Sequence, residues 1–484
     1  MDTYSEIIII GGGLSGLYIG EKLKDKNPLV LETKPTPGGR VSTIYDDRDN
    51  VKYEGGPWRI PENHKRVLGL LKQFNIQLSD LKTPSVNTDN KNSKDTYHED
   101  EKLFNSMSTW DVNAYKSGNP LYADYMDLST GYSGETHAPS STHPYQTSSQ
   151  KFFTVDKGLK FLIEKLASRC NVNYNTRVVN VKKENDRYNI YATKRQDNTF
   201  VELKITCKTL FICIPPRWAK DWDIVKCWGK AHTKSVVDMP LHHIYACPVP
   251  DNLEPFHIVD PENIAAQSIS SEYNNRWFQA SYTAGRLSLF WDNLKLAGGK
   301  YFHNTVVKSF KKMLKKDVEF DPTTIESHHF PHAYHQWRVV PDFDLERSVY
   351  RSSMLHPVEL PNVYWAGEAF SSYQAWMEGA LETSDIVLDI FRNSCDKFRE
   401  MLPKREPKPE ELVVEGRILN VTEWKKVHPG SSMAIDNHLY RKDRDSSKSF
   451  MHLQHSDHAW SIINSLTVGF VSELDSIPNC RFIF

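Results

Sequence analysis

The spacing of apolar residues changes along the chain, and each spacing predicts a different element. Ile7–Ile10 is an unbroken β-branched run ended by Gly11-Gly12-Gly13, the pattern of a strand buried on both faces. Leu14, Leu17, Ile19 and Leu23 then recur at helical spacing and predict a helix over Leu14–Lys24. Leu29–Leu31 reads as the next strand. From Val172 to Ile205 apolar and polar residues alternate repeatedly, which predicts a β-meander. Leu210–Ile214 is a strand stopped by Pro215-Pro216, Asn362–Ala366 is another strand, and Glu378–Phe391 is helical.

Between these segments lie stretches of another kind. Residues 80–150 are rich in Ser, Thr, Asn and Asp, as expected for loops or short helices over a site, or for partial disorder. Lys404–Glu411 (KREPKPEE) is charged and proline-bearing and reads as a linker. A fresh apolar set follows it: Leu412, Val413, Val414, Ile418, Leu419 and Trp424. The chain of 484 residues has room for roughly three domain-sized units. Hydrophobic residues make up 39%, enough for a sizeable core. A formal charge of −1 argues against a general nucleic-acid binder. The 7 cysteines form no C-x-x-C pair, which points to a reducing compartment. With no long apolar run and no signal-peptide pattern, the expectation is a soluble, cytoplasmic protein without a membrane span.

Gly11, Gly13 and Gly16 form G-x-G-x-x-G between a strand and a helix. The first glycine permits the tight turn, the second lets a pyrophosphate approach the backbone, and the third lets the helix pack close. Glu32 ends the second strand 21 residues after Gly11, where a carboxylate can bind ribose hydroxyls. The alternative is a glycine turn without a ligand. On this pattern alone NAD, NADP and FAD stay open.

Pro37-Gly38-Gly39-Arg40-Val41, Gly55-Gly56-Pro57-Trp58, Ala366-Gly367-Glu368 and Trp376-Met377-Glu378-Gly379-Ala380 come in that order. The set resembles the flavin-containing amine oxidase family, over residues 4 to about 392 and weakly between 80 and 150. The resemblance implies an α/β, Rossmann-like FAD-binding domain with an interleaved α+β substrate domain. It places the FAD-binding parts at about 1–75, 151–215 and 340–392, and the substrate part at about 76–150 and 216–339. Implied cofactor contacts are Gly11, Gly13, Leu14, Ser15, Gly16, Glu32, Gly38, Gly39, Arg40, Gly55, Gly56, Pro57, Trp58, Val178, Gly367, Glu368, Met377 and Ala380. Arg40 would meet the pyrophosphate, the backbone of Val178 the adenine, and Gly367 and Glu368 the ribityl and phosphate groups. A helix N-terminus at Met377 would stabilise negative charge on the reduced ring.

The departures from that family are specific. Members with a covalent flavin carry a Cys a few dozen residues before A-G-E; the nearest here is Cys247, so FAD is expected to be non-covalent. In Met239–Ala246 a His, His243 in this reading, stands where the family often has a Lys near the flavin N5. The usual Tyr before M-E-G is Trp376, a wall for a cation or flat substrate, or simply packing against the flavin. His335-Gln336-Trp337-Arg338 resembles the H-R-W-R segment of flavin oxidoreductases related to renalase and places Trp337 near the flavin face, unless it is a core residue. Trp58, Trp337, Trp376 and His243 are thus the expected catalytic surroundings. His328, His329, His332 and His335 are read as exposed loop histidines rather than as a metal site.

The C-terminal segment contains Asn420–Trp424, His428-Pro429-Gly430, Asp445–Phe450, His455–Ala459 and Leu466–Val471 in order. This resembles cytochrome b5, an α+β fold in which two histidines hold one haem. The expected module spans 412–484, after the flavin domain at 1–392 and a linker at 393–411, with His428 and His455 as ligands of haem b. Taken together, these resemblances imply oxidation of an amine-like small molecule at the flavin, with electrons passed to the haem and to an external acceptor. Two alternatives stand beside it: a reductase or desaturase fed through the haem by an external donor, and a non-catalytic scaffold with a docking module.

Overall fold

The computed structural model describes residues 2–81, 107–129, 151–197, 199–227, 236–249, 257–259, 268–270, 277–315, 317, 319–320, 322–338, 354–357, 360, 362–392, 405–414, 416–422, 424–426, 428, 432–440, 444–452, 463 and 466–471. The chain divides into two compact units, residues 1–343 with 366–384, and residues 344–365 with 385–484.

At the heart of the first unit is a parallel sheet in the order Thr209–Ile212, Ile7–Ile10, Leu29–Leu31, Asn171–Asn173. Every residue of Ile7–Ile10 is buried, because neighbouring strands and layers cover both its faces. The helix Leu14–Lys22 follows the glycine turn, two residues shorter than its apolar spacing predicts, and its Leu17 and Ile19 are fully buried. A Cβ on Gly16 would lie 1.9 Å from the carbonyl oxygen of Gly11, so only glycine admits this turn. The predicted meander consists of Thr176–Glu184, Arg187–Gln196 and Thr199–Cys207, with Asp2–Tyr4 added in parallel at its edge.

A second sheet, in the order His257–Val259, Ser268–Ser270, Phe278–Ala284, Val236–Ala246, Glu326–Trp337, is antiparallel throughout. One face carries Ile244, Ala246, Phe278 and Ala280, which pack on Trp291, Phe302, Val306 and Phe310 of the helices Arg286–Ala297 and Gly299–Leu314. The opposite face carries His243, Tyr245 and Tyr282.

The four histidines expected in an exposed loop lie instead on the strand Glu326–Trp337. His335 is fully buried and the others are half-buried. Pro331 made this stretch read as a loop. It falls where three residues, Pro331–Ala333, bulge opposite the single Pro240, so neither proline interrupts a regular ladder bond.

The motif Met377-Glu378-Gly379 starts the helix Met377–Arg392. Glu378 is 2% exposed, and its carboxylate accepts from the backbone N–H groups of Arg66 and Val67, each at 3.1 Å. These are orphan donors at the start of the helix Lys65–Gln73, whose own N-cap residue, His64, supplies no side-chain cap.

Within the second unit, Glu411–Val414, Arg417–Asn420 and Thr467–Phe470 form an antiparallel sheet. Leu412, Val414, Leu419, Val421, Ile435 and Ile463 build its core, flanked by Trp424, Leu439, Phe450 and Leu466. Part of the expected linker is fastened to this unit: Arg405 pairs with Glu411 through two bonds of 2.6 and 2.8 Å. Residues 344–365, assigned by sequence to flavin binding, also group here. His356 stacks on Tyr364 at 4.6 Å, and Tyr364 meets Phe391 edge-on at 5.8 Å.

Gly16→Ala is expected to cost at least the roughly 1–3 kcal/mol of ordinary overpacking, because backbone cannot yield to the added methyl; thermal unfolding of the purified variant measures it. Glu378→Ala is expected to cost about 1–2 kcal/mol through loss of the helix cap, read as a lower urea midpoint with unchanged slope.

Candidate cofactor and substrate site

The glycine turn delivers backbone donors to the start of a helix that has no acidic side chain in its first turn. Gly38 donates to the carbonyl of Gly12 at 2.9 Å, so the second glycine pair lies against the first. Gly38 and Gly39 have φ of 125° and 62°, conformations that L side chains rarely adopt. A Cβ on Gly13 would meet nothing closer than 3.9 Å, and one on Gly367 nothing within 4 Å. Gly13 and Gly367 each leave room where a Cβ would sit, and Gly38 and Gly39 pack on Gly12 and Gly13 at a helix N-terminus, a cradle-like arrangement that fits a dinucleotide pyrophosphate. Glu32 accepts from the N–H of Gly12 at 2.7 Å and of Lys34 at 2.8 Å, which fixes its carboxylate at the end of the second strand. Leu14 belongs to the core, and the Ser15 hydroxyl donates to the Ala380 carbonyl at 3.1 Å, so these two expected contacts bond each other. Between Val178 and Asn180 the meander register shifts by one residue, so Val179 bulges out of the ladder next to the position expected for adenine.

Behind the cradle runs a chain of buried ions. Arg40 Nη1 donates to Glu368 Oε1 at 2.7 Å and to the Ala333 carbonyl at 2.8 Å. The same Glu368 oxygen lies 2.5 Å from His335 Nδ1, while His335 Nε2 lies 2.9 Å from Asp238 Oδ1. Burial opposes the charge on Glu368, but His335 and Arg40 outweigh it and hold the carboxyl down at about 2. Burial likewise opposes charge on His335, yet Glu368 and Asp238 prevail and raise it above the ordinary histidine value. The Glu368 carboxylate is thus engaged by protein, and Arg40 is the member of this chain that is one-third exposed.

Where the flavin ring is expected, Gly55 and Gly56 are both buried, with Pro57 and Trp58 half-buried beside them. A Cβ on Gly55 would sit 3.3 Å from His328 Nδ1. His328 Nε2 lies 3.1 Å from the Tyr53 hydroxyl, which also donates to Glu326, and Lys52 holds the other Glu326 oxygen at 2.8 Å. Tyr53 stacks on Tyr245 at 3.9 Å, and the Tyr245 hydroxyl donates to the Glu54 carbonyl at 2.5 Å. Lys52, Tyr53, Tyr245 and Glu326 carried no local motif; Tyr245 and Glu326 are strand partners, and Lys52 and Tyr53 reach them by side-chain contacts from a separate hairpin.

The expected catalytic residues fall into separate clusters. Trp376 is half-buried and meets the His64 ring edge-on at 4.9 Å, with Tyr373 5.8 Å from the same imidazole. Burial pushes His64 down to about 4, so it is neutral at pH 7. Ala375, at φ 68°, is a non-glycine residue in the left-handed region immediately before Trp376, a local strain that aims the indole. His243 is 1% exposed, with Nδ1 3.5 Å from the Tyr245 hydroxyl and its ring 4.6 Å from Tyr282. Burial pushes it down to about 3. Trp337 is buried and spends its indole N–H on the Ser371 carbonyl at 3.1 Å, the packing alternative rather than an open face. Met377 opens its helix within an apolar cluster that includes Leu14 and Leu381. In the second unit His428 is half-buried, 6.1 Å from the Trp424 ring. His455 lies outside the described residues.

Residues 14–130 match the family described as flavin containing amine oxidoreductase. An L-amino-acid oxidase of Trimeresurus stejnegeri is 34% identical over 83 residues, covering 17% of this chain and 16% of that protein. A putative L-amino-acid oxidase of Bacillus subtilis (strain 168), YobN, is 40% identical over 73 residues, covering 14% and 15%. The chain therefore matches about a sixth of the length of these relatives. Wild-type putrescine oxidase bound to putrescine aligns with a TM-score of 0.60 at 14% identity, over 81% of this chain and all of that one. A putative protoporphyrinogen oxidase from Exiguobacterium aligns at 0.53 and 14% identity, over 81% and 99%. Residues 14–130 thus carry the match to the flavin containing amine oxidoreductases, and the chain shares the fold of putrescine oxidase over 81% of its length.

Proposed function

We propose that the first unit binds FAD non-covalently and is an FAD-dependent oxidoreductase acting on an amine or amino acid. The observation that carries this reading is the open cradle bounded by Gly13, Gly39 and Gly367 at a helix N-terminus, with Arg40 beside it. The substrate class is taken from the putrescine oxidase and L-amino-acid oxidase relatives. FAD, when bound, supplies a two-electron acceptor. The chain's own residues supply the surroundings. Trp376 offers an aromatic face to an ammonium group, and neutral His64 beside it adds no repulsive charge. His64 and His243 both stay uncharged through the neutral range, so neither repels a cationic substrate. Cys170, Cys207, Cys213 and Cys247 are free thiols; Cys247 is buried just past the end of the strand Val236–Ala246, and no helix among the described residues is long and apolar enough to cross a membrane.

We further infer that the second unit holds a b-type haem. His428 stands beside an apolar core that includes Leu439, Phe450 and Leu466, the setting that a haem crevice needs. With His455 as second ligand the iron would be closed to other ligands, which suits electron transfer. Tethering gives the haem a high effective concentration at the flavin unit.

The visible spectrum of the purified chain is expected to show a flavin band and a sharp Soret band. His428→Ala should abolish the second and spare the first. Anaerobic addition of diamines or L-amino acids should bleach the flavin first and reduce the haem afterwards. Haem reduction by NAD(P)H without any amine bleaching would favour reversed electron flow. A chain that stays colourless after supplementation with both cofactors would sink the redox reading.

A further inference from the structure

His335 contacts a carboxylate through each ring nitrogen, Glu368 Oε1 at Nδ1 and Asp238 Oδ1 at Nε2, and it is 0% exposed. Nδ1 bonds to Glu368, while Nε2 lies at ion-pair distance from Asp238 without the alignment of a hydrogen bond, so the two carboxylates favour the doubly protonated ring by their charge on either side of it. Positive and negative groups then alternate along the chain: Arg40, Glu368, His335 and Asp238. Arg217 and His332 face the other Asp238 oxygen at 3.6 and 3.7 Å. Loss of the His335 proton would leave one carboxylate against a lone pair. It would also remove the positive charge that separates Glu368 from Asp238 behind the cradle that is to hold phosphates.

We propose that His335 is a positioning residue of the cofactor site: as an imidazolium clamped between Glu368 and Asp238 it holds the carboxylate that aims Arg40 at the phosphate cradle, so that FAD is released when His335 loses its proton. This rests on the FAD reading above. The sign follows from the linkage. The folded-state value of His335 lies above its ordinary 6.5, so the clamp is intact below pH 6.5 and is lost as pH rises through that raised value. His332 does not produce this limb, because burial pushes it below the ordinary value and it has already lost its proton by then. Glu368 and Asp238, both held below the usual carboxylate range against the cost of burial, stay ionised throughout.

The test is the dissociation constant of FAD, followed by quenching of flavin fluorescence with the full chain from pH 6.5 upward. Wild type is expected to hold FAD at constant affinity and then weaken by about tenfold or more along an alkaline limb, one unit of pKa difference being a factor of ten. His335→Gln should bind FAD about tenfold more weakly at the lowest pH and show no limb. Asp238→Asn removes one of the two anions and should move the limb down by about one pH unit; it remains informative if His335→Gln fails to fold. A His335→Gln chain that keeps the wild-type limb, even with a lowered melting temperature, overturns the proposal. So does an Asp238→Asn chain whose limb stays in place. Wild type that binds no FAD at any pH removes the underlying reading as well, which separates the two failures.

Discussion

A carboxylate buried as deeply as that of Glu368 is tolerated only where enough donors surround it, and this requirement organises the first unit. Its two oxygens accept from Arg40 Nη1, from the backbone N–H of His335, from His335 Nδ1 and from the backbone N–H of Ala375. Those donors come from the Gly38-Gly39-Arg40 loop, the end of the strand Glu326–Trp337, and the turn that presents Trp376. Removing one partner from such a buried pair costs about 3–5 kcal/mol, because the remaining charge is left unsolvated. The phosphate cradle, the second sheet and the aromatic wall are therefore held in mutual register by ionic bonds rather than by apolar packing alone.

The second sheet has to serve two surroundings at once, and period-two alternation makes that possible. Ile244 and Ala246 face the helix layer, while His243 and Tyr245, one position away in each case, face the strand that leads into Gly55-Gly56. Register is critical in such a sheet, since a slip of one residue would exchange the faces. The bulge at Pro240 and Pro331 resets the register once, between Met239 and Leu241, and the cross-strand pairs His242–His329 and His243–His328 follow directly beyond it. On this strand His328 and His332 are half-buried, and burial pushes both below the ordinary histidine value.

Local signals in the sequence were enough for the nucleotide end. The strand, glycine turn, helix and acid at Glu32 are contiguous, and each depends on backbone geometry within a few residues. The helix at Met377 and the meander were legible for the same reason. What could not be read was every interaction whose partners are far apart in the chain. Arg40 meets Glu368 across 328 positions, and Glu378 caps the helix at Arg66 across 312. The segment around His328 was misread because proline is a strong loop signal locally, and only the partner strand shows that Pro331 falls in a bulge. The motif at Trp337 likewise carried no sign of Ser371, 34 positions on, whose carbonyl takes its indole N–H.

Charge is also distributed by depth along the site. At Glu368, His335 and Asp238 pairing overcomes burial: both carboxyls are held below, and the histidine is raised above, their ordinary values. The groups around the ring end behave in the opposite way: His64 and His243 are pushed toward neutrality by burial, and the buried Tyr53 phenol is driven further from ionisation by burial and by Glu326. A cofactor with an anionic middle and an uncharged ring would meet a matching gradient. The same burial produces both results, because desolvation always favours the neutral form and only the density of opposite charge decides whether it prevails. In this fold the strand ends at His335 and Asp238 gather that density on one side, and Tyr245, Tyr282 and Trp376 dilute it on the other.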